Sequence, residues 1–392
     1  MGRTHDILIP ATTSWLNDPA ALRVCDVLRD AGFEIYFVGG CVRNALLGLP
    51  DSDVDMSTNA LPEQVMEIAL AADLKAIPTG IDHGTVTVIV DGSAFEITTF
   101  RRDVATDGRR AVVAFSQDIE DDARRRDFTM NALYADGKGR VIDPLGGLPD
   151  LIARRIRFIE DADARIKEDY LRILRFFRFS AWYADPAEGF EADTLAAISE
   201  NGAGLETLSA ERIGQEMTKL LLADDPAPAV AAMRQVGALH QILLGSDDRF
   251  LAMLVHFEMG LGLAPDWVTR LAALGGEDAA MRLRLSKADA RQLARLGEVG
   301  FAGPPLAEIA YRDGQRMAES ALLLRACLSE EMPKKATLET INRAARAQFP
   351  ISAGDLMPRL TGPALGAKLK ALEQVWIDSA FSLSKEALLE NL

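Results

Sequence analysis

The stretch VGGCVRNALLGLPDSDVDMST, residues 38–58, decides how this chain is read. Gly39 and Gly40 follow the strand-like run FEIYFV and open a short helix-like run that stops at Gly48. Backbone N–H groups at such a turn, with the positive end of the helix behind them, make an anion site. Arg43, in the first turn of that helix, adds a charged donor. An ordinary tight turn would use the same glycines. Farther on, Asp51, Asp53 and Asp55 occupy alternate positions, with Asp51 in the approach to a second strand over 53–57. On a strand, residues i and i+2 point the same way, so Asp53 and Asp55 present two carboxylates side by side. Such a pair repels unless a cation sits between its members. Hard oxygen ligands of this kind suit Mg²⁺, which takes one or two carboxylates plus substrate phosphates. A solvated acidic turn is the alternative.

The chain has 392 residues, 48% of them apolar, which suits two or three domains with sizeable cores. No run approaches the apolar length of a membrane span, and the opening MGRTHDILIP lacks the apolar run of a secretory signal. Cys25, Cys41 and Cys327 are scattered, which fits a reducing, cytoplasmic setting and no metal spacing. The net charge of −15, taken whole, argues against a nucleic-acid partner. Residues 101–180, however, carry 17 Lys+Arg against 15 Asp+Glu, while the rest of the chain holds 26 against 43. Most of these local bases are arginines, whose planar fork binds two phosphate oxygens at once. For any single arginine, a solvated salt bridge is the competing reading.

Along the chain, residues 19–31 place Ala21, Val24, Cys25 and Leu28 on one helical face. Pro62 starts a helix through about Ala72, and TVTVIV-DGS-AFEITTF reads as two strands joined through Asp91-Gly92. To about residue 150 the chain is mixed α/β. From DADARIKEDYLRILRFFRFSAWYA onward the patterns are almost all helical. Ile213, Met217 and Leu220 form one stripe, and Ser286 and Asp289 stand in capping-box spacing. The outline is a mixed head followed by a helical neck and tail.

In DDARRRDFTMNALYAD, Arg124, Arg125 and Arg126 precede Asp127 and an apolar helical pattern. Cations at a helix start oppose its dipole, which points to an anionic partner. Asp127 reads as an N-terminal helix acid, a site residue or both. In EDYLRILRFFR, Asp169 and Arg172 are three apart, hence neighbours on one helical face, and an ion pair is the plain reading. Arg175 stays near Arg172, whereas Arg178 has rotated well round from Asp169, where a structural salt bridge competes. Phe176, Phe177 and Phe179 read as core.

Taken together, VGGCVRNALLG, DSDVDMST, RRRDFTMNAL, IDPLGGLPDL and EDYLRILRFFRFSA resemble, in order and spacing, the motifs of the class II tRNA nucleotidyltransferase/poly(A) polymerase family of the polymerase β superfamily. Within it the chain is most similar to bacterial CCA-adding enzymes. The resemblance covers roughly residues 33–220, and ERIGQEM at 211–217 resembles the family's neck motif. One position departs: the family usually reads Gly-Gly-x-Val-Arg-Asp, and here the last residue is Asn44, which keeps the shape and loses the charge.

The resemblance implies an α+β fold, with a small mixed-sheet nucleotidyltransferase head (20–150) followed by an all-α neck (151–225) and body/tail (226–392). The neck would recognise nucleotide and RNA, and the tail would bind tRNA. It implies template-independent addition of C and A nucleotides to the 3′ end of tRNA, from CTP and ATP, with Mg²⁺ as cofactor. Asp53 and Asp55 match the metal-binding acids. Gly40 and Arg43 match triphosphate contacts, with Gly39 in the same turn. Arg126 and Asp127 match phosphate and ribose contacts, and Asp169, Arg172, Arg175 and Arg178 match nucleotide-recognition positions. A third catalytic carboxylate is chemically plausible. Glu96, which faces away from Phe95 and Ile97, would serve, although an exposed hairpin face explains it equally.

The base-reading chemistry follows from donors and acceptors. Asp accepts from an exocyclic amino group and Arg donates to a ring nitrogen. Cytosine and adenine offer that pattern, whereas uracil and guanine present the opposite one. A poly(A) polymerase would share the head motifs, but the acidic tail favours a shape-specific tRNA over diverse RNA held by charge. A partial CC- or A-adding enzyme and an inactive RNA-binding relative are further alternatives, the last opposed by the intact acid pair. No membrane and no obligate protein partner are expected. Nothing suggests an appended phosphohydrolase, because the only His-Asp dipeptide is His5-Asp6.

Overall fold

The computed structural model describes residues 7–107, 110–357 and 359–390, so His5-Asp6 lies outside the described residues. The chain divides into two compact units, Met1–Ser209 with Gln235–Gln241 and Ala210–Arg234 with Ile242–Leu392. The first unit takes the expected head and the front of the expected neck. The second begins within that neck.

The strands of the first unit are β1 (Ile35–Val38), β2 (Asp55–Thr58), β3 (Lys75–Gly80), β4 (Thr85–Val90), β5 (Ser93–Thr99), β6 (Arg101–Asp107), β7 (Arg110–Phe115), β8 (Tyr134–Ala135) and β9 (Val141–Ile142). Seven form one sheet in the order β3-β4-β5-β2-β1-β8-β9, and β6 pairs with β7 separately. In the large sheet β2 and β5 run parallel while the other pairs are antiparallel. Register sets Asp55 opposite Val38 on one side and opposite Glu96 on the other. The β4–β5 hairpin turns through Asp91 (φ 49°) and Gly92 (φ 88°), the left-handed pair that a two-residue turn between twisted strands requires.

Helices α1 (Pro19–Asp30), α2 (Gly40–Leu47), α3 (Pro62–Ala71), α4 (Ile119–Arg124), α5 (Leu148–Ile152), α6 (Ala162–Glu168), α7 (Leu171–Tyr183) and α8 (Ala192–Asn201) complete this unit. Asp18 caps α1 by accepting from the N–H of Ala20, Pro19 occupies the first turn, and Ala21, Val24, Cys25 and Leu28 are buried. Gly48, at φ 66°, ends α2.

Three local expectations need correction. The second strand begins at Asp55, not Asp53. The approach is held outside the ladder by side chains: Asn44 Nδ2 donates to the Pro50 carbonyl at 2.8 Å, and the Ser14 hydroxyl donates to the Asp51 carboxylate. The arginine triplet does not open a helix. It closes α4, which starts at the Asp118 cap with Glu120, Asp121 and Asp122 in its first turn, so the cations sit where the dipole favours them. After it comes a single 3₁₀ turn, Thr129–Asn131, rather than a helix. Asp127 Oδ1 accepts from the Phe128 N–H and from Asn131 Nδ2, both at 2.8 Å, and this local bonding competes with helix formation. Finally, Asp169 is not on a helix. It ends α6 with extended backbone (φ −156°, ψ 105°), and α7 starts two residues later.

The second unit is helical. Its α9 (Ala210–Leu221) buries Ile213, Met217 and Leu220 as one stripe. Ser286 caps Lys287–Val299 by accepting from the Asp289 N–H, as the capping spacing predicts. Leu254, Leu296, Ile309, Leu324 and Ile341 share one apolar core. Among the described residues, no helix is long and apolar enough to cross a membrane. Arg270 is the largest fully buried side chain, 1% exposed. It donates to Glu258 at 2.7 and 3.0 Å and to the carbonyls of Leu221, Ala223 and Asp224 just past α9. Arg270→Ala strands the buried Glu258 charge and three carbonyls, and should cost about 3–5 kcal/mol. Urea unfolding monitored by far-UV circular dichroism measures this, and a loss below about 1 kcal/mol would contradict the assigned role.

Candidate active site

One cavity of about 330 Å³ in the first unit gathers most of the residues singled out above. Gly39, Gly40 and Arg43 reach it from the start of α2, and Asp55 from the edge of β2. Arg126, Asp127 and Asn131 reach it from the turn after α4. Asp169, Arg172, Arg175 and Phe179 line it from the α6–α7 junction and from α7.

The two glycines are needed for different reasons. Gly39 takes φ +75°, which L side chains rarely adopt, while a Cβ there would make only an ordinary 3.4 Å contact with Arg126 Nη1. A Cβ on Gly40 would come within 2.8 Å of Ser52 Oγ. The loop between α2 and β2 therefore packs directly on the turn. Behind these residues Cys41 is buried, which pushes its thiol up to about 11 and makes it chemically quiet.

Arg43 is 6% exposed and held by neutral groups. Its Nη1 donates to Asn131 Oδ1 at 2.6 Å, its Nε and Nη2 to Asn44 Oδ1 at 3.1 and 2.9 Å, and its Nη2 to the Tyr183 hydroxyl at 2.9 Å. Burial pulls its pKa below the ordinary arginine value, and Arg178 and Arg175 act in the same direction against Tyr183 and Asp127. Asn44 thus seats the arginine fork without neutralising it.

Arg126 is the only member of the arginine triplet that lines the cavity. Arg124 pairs with Glu120 and Glu160 at the surface, and Arg125 pairs with Asp122. Arg126 donates to Asp122 at 3.0 Å and to the Tyr134 hydroxyl at 3.2 Å, and that hydroxyl donates to the same Asp122 carboxylate at 2.8 Å. Burial alone would raise Asp122, but Arg126 and Arg125 hold it well below the usual carboxylate range. Asp127 behaves alike. Burial opposes its charge, and Arg175, Asn131 and the Phe128 N–H outweigh burial and depress it. Arg175 grips Asp127 Oδ2 with Nε at 2.7 Å and Nη2 at 2.5 Å.

Asp55 shows the opposite behaviour. Partial burial and the neighbouring Glu96 carboxylate raise its pKa, Asp53 adds to the rise, and Arg126 opposes it. Asp55 opens the central strand β2 with Glu96 in register beside it on β5, and Asp53 lies in the approach just before; of the three, Asp55 is the one that lines the cavity. Among the described residues no group of three or more such side chains is placed to hold a metal ion by itself, so a hard divalent cation at Asp55 would draw its remaining ligands from substrate phosphates.

Arg172 is fixed by Glu168 and two backbone carbonyls. Its Nη1 donates to the Arg165 carbonyl at 2.8 Å and pairs with Glu168, while Nη2 donates to the Arg125 carbonyl at 3.2 Å. Among the described residues these contacts leave the Nε donor and one Nη2 donor for a ligand. Glu168 stands beside Asp169 in the quoted motif, and its charge was the available signal. Asn131 and Phe179 carried no sequence signal beyond polarity and core pattern. Arg178 is not part of the cavity lining, but its guanidinium lies 4.6 Å from the Phe179 ring centroid.

Residues 35–157 match the family of poly(A) polymerase head domains, and residues 189–249 match the family described as the probable RNA and SrmB-binding site of polymerase A. The chain is 31% identical over 387 residues to CCA tRNA nucleotidyltransferase 1, mitochondrial, of Danio rerio, covering 94% of this chain and 89% of that protein. It is 35% identical over 346 residues to the CCA-adding enzyme of Lactobacillus delbrueckii subsp. bulgaricus, covering 82% and 83%. Its fold matches that of the Bacillus stearothermophilus CCA-adding enzyme in complex with CTP with a TM-score of 0.75 and 29% identity, over 95% of this chain and 98% of that one.

The depressed carboxyls set an acid limit. A group whose folded pKa lies below its unfolded value stabilises the protein above the unfolded value, and that contribution is lost as pH falls through the folded one. Asp122 and Asp127 should therefore contribute fully above about pH 4–5 and lose their contribution only as pH falls below their ordinary value of 3.8. Asp127→Asn should be less stable than the wild type at neutral pH and should show a shallower loss below pH 4. Equal acid slopes in the two proteins, from denaturant titrations at several pH values, would exclude Asp127 as a source of the acid limit.

Proposed function

We infer from these relationships and from the cavity what this chain does: it belongs to the tRNA nucleotidyltransferase/poly(A) polymerase family, and it adds C and A nucleotides to the 3′ end of tRNA from CTP and ATP. The observation that carries the reading is one cavity joining Asp55, a glycine-and-arginine cradle and the Asp169/Arg172 pair.

Asp53 and Asp55 are our choice for holding Mg²⁺, with Glu96 as the neighbouring third carboxylate. Bound there, Mg²⁺ would lower the pKa of the RNA 3′-hydroxyl and neutralise charge on the departing pyrophosphate. The chain's own groups do the rest. Gly39 and Gly40 bring backbone N–H groups to the triphosphate, and Arg43 and Arg126 supply charge to its oxygens. Asp127 and Arg175 set the nucleotide against α7. Asp169 accepts from the amino group of C or A, and Arg172 donates to the ring nitrogen beside it. Residues 20–150 serve as head, 151–225 as the nucleotide- and RNA-binding neck, and 226–392 as the tRNA-binding tail. The free thiols Cys25, Cys41 and Cys327 suit a cytoplasmic site of action.

Incubation with Mg²⁺ and a tRNA ending at its discriminator base tests the reading, with each labelled triphosphate offered singly and then together. CTP alone should add C residues, and CTP with ATP should complete CCA. A long tail of A alone would instead mark a poly(A) polymerase. Asp53→Ala or Asp55→Ala should abolish addition with little loss of stability, because each removes one of two repelling acids. Near-normal turnover by either variant would remove that residue from the metal site. Arg172→Ala should slow incorporation of C and A and shrink discrimination against U and G by about 1–3 kcal/mol per lost base contact. Unchanged C/A to U/G ratios would sink the base-reading role, whatever happened to the absolute rate.

A further inference from the structure

Three guanidinium groups converge on one phenyl ring. The Cζ atoms of Arg43, Arg175 and Arg178 lie 5.2, 5.3 and 4.6 Å from the centroid of Phe179. These cations come from separate places, Arg43 from α2 and the other two from α7. Like charges gathered in a partly buried site repel strongly. Arg175 has Asp127 as counter-ion, whereas Arg43 donates to two amides and a phenol. The electron-rich ring of Phe179 is a surface close to all three. Tyr183 extends it: its ring lies 5.3 Å from that of Phe179 and 4.1 Å from the Arg43 Cζ.

Phe179 shares the aromatic core through Phe128, 5.0 Å between ring centroids, but differs from Phe176 and Phe177 in the cations beside it. Phe176 and Phe177 pack with Phe190, and Phe176 stacks on Phe158, as ordinary core. Phe179 is 3% exposed yet lines the cavity. An aliphatic side chain would satisfy the packing at this position, but it would offer no counter-surface to three cations.

We propose that Phe179 is a positioning residue that pre-assembles Arg43 and Arg175, the two of these arginines that line the cavity, into a cationic face for the triphosphate of the incoming nucleotide, independently of its base. The proposal rests on reading this cavity as the nucleotide site and assigns a role within it. A preassembled face spares the ligand the work of gathering repelling charges. Because the ring acts on the phosphate side, base choice by Asp169 and Arg172 stays separate from it.

The test compares wild type, Phe179→Leu, Phe179→Tyr and a protein with pentafluorophenylalanine at 179, which keeps the ring shape and reverses its quadrupole. Each is measured for KM and kcat with CTP and ATP and for binding of inorganic tripolyphosphate by calorimetry. Phe179→Leu and the fluorinated protein should raise both KM values and weaken tripolyphosphate binding about tenfold, the loss of roughly one desolvated cation–π contact. Their kcat should stay within about twofold, and their C/A to U/G ratios should not move. Phe179→Tyr should restore most of the affinity. Should Phe179→Leu fail to fold, the fluorinated protein decides alone. Tripolyphosphate binding that Arg43→Ala weakens but that neither Phe179→Leu nor the fluorinated ring disturbs overturns the proposal and leaves the triphosphate reading standing. Binding that Arg43→Ala also leaves untouched overturns both.

Discussion

Asp127 takes two hydrogen bonds from Arg175, 48 residues away, and this clasp fixes α7 against the turn that follows α4. Asn131 extends it. Its amide donates to Asp127 and its carbonyl oxygen accepts from Arg43. A continuous line of polar contacts thus runs Arg43–Asn131–Asp127–Arg175 through α2, the 3₁₀ turn and α7. Every link is buried or half-buried, so each partner depends on the next for compensation. Loss of the carboxylate would leave Arg175 without this counter-ion and loosen the wall that carries Arg172. The cavity exists because this line closes.

The same line explains how an acidic protein keeps a cationic cavity. Arg126 and Arg175 each face a buried carboxylate, Asp122 (shared with Arg125) and Asp127, which are held charged by their partners. Arg43 is seated by amides instead. Asn44 accepts from two of its nitrogens and donates to the Pro50 carbonyl, so one amide orients the arginine and restrains the loop that leads to Asp53. An aspartate there could hold the fork, but without a proton it could not donate to Pro50. The substitution that looked like a lost ion pair therefore preserves the geometry and leaves the Arg43 charge available to an anion.

Much of this was legible in the sequence where the determinants are local. The glycine turn into α2, the Asp91-Gly92 hairpin, the α1 face and the α9 stripe depend on residues within a few positions of one another, and each forms where its pattern places it. Of the alternating acids only Asp55 belongs to the strand, because side-chain bonds hold the approach outside the ladder. The misreadings share a cause. The triplet Arg124–Arg126 was placed at the start of a helix because apolar spacing follows it, whereas the acids of α4 before it and the side-chain bonds of Asp127 after it put the boundary elsewhere. Asn131 acts through Arg43, 88 residues away, a partner that only the folded chain brings near, whereas Glu168 stands three residues from Arg165 and four from Arg172, within reach of the helical spacing rule.

The break at Asp169 shows why a helical reading of the EDYLR motif would have been chemically unsuitable. On a continuous helix, Asp169 and Arg172 would face each other and could saturate one another as an ion pair. In the fold, α6 ends at Glu168, and Asp169 adopts extended backbone with its Oδ1 accepting from the Leu171 N–H at 3.1 Å. Arg172 enters the first turn of α7 and takes Glu168 and two backbone carbonyls as partners. These contacts satisfy its charge and lock its direction while leaving two donors over. Asp169 and Arg172 thus line the same cavity with different supports, the arrangement on which the proposed base-reading role rests. Discrimination by hydrogen bonding requires this arrangement, because groups that already satisfy each other gain little from the right base and lose little to the wrong one.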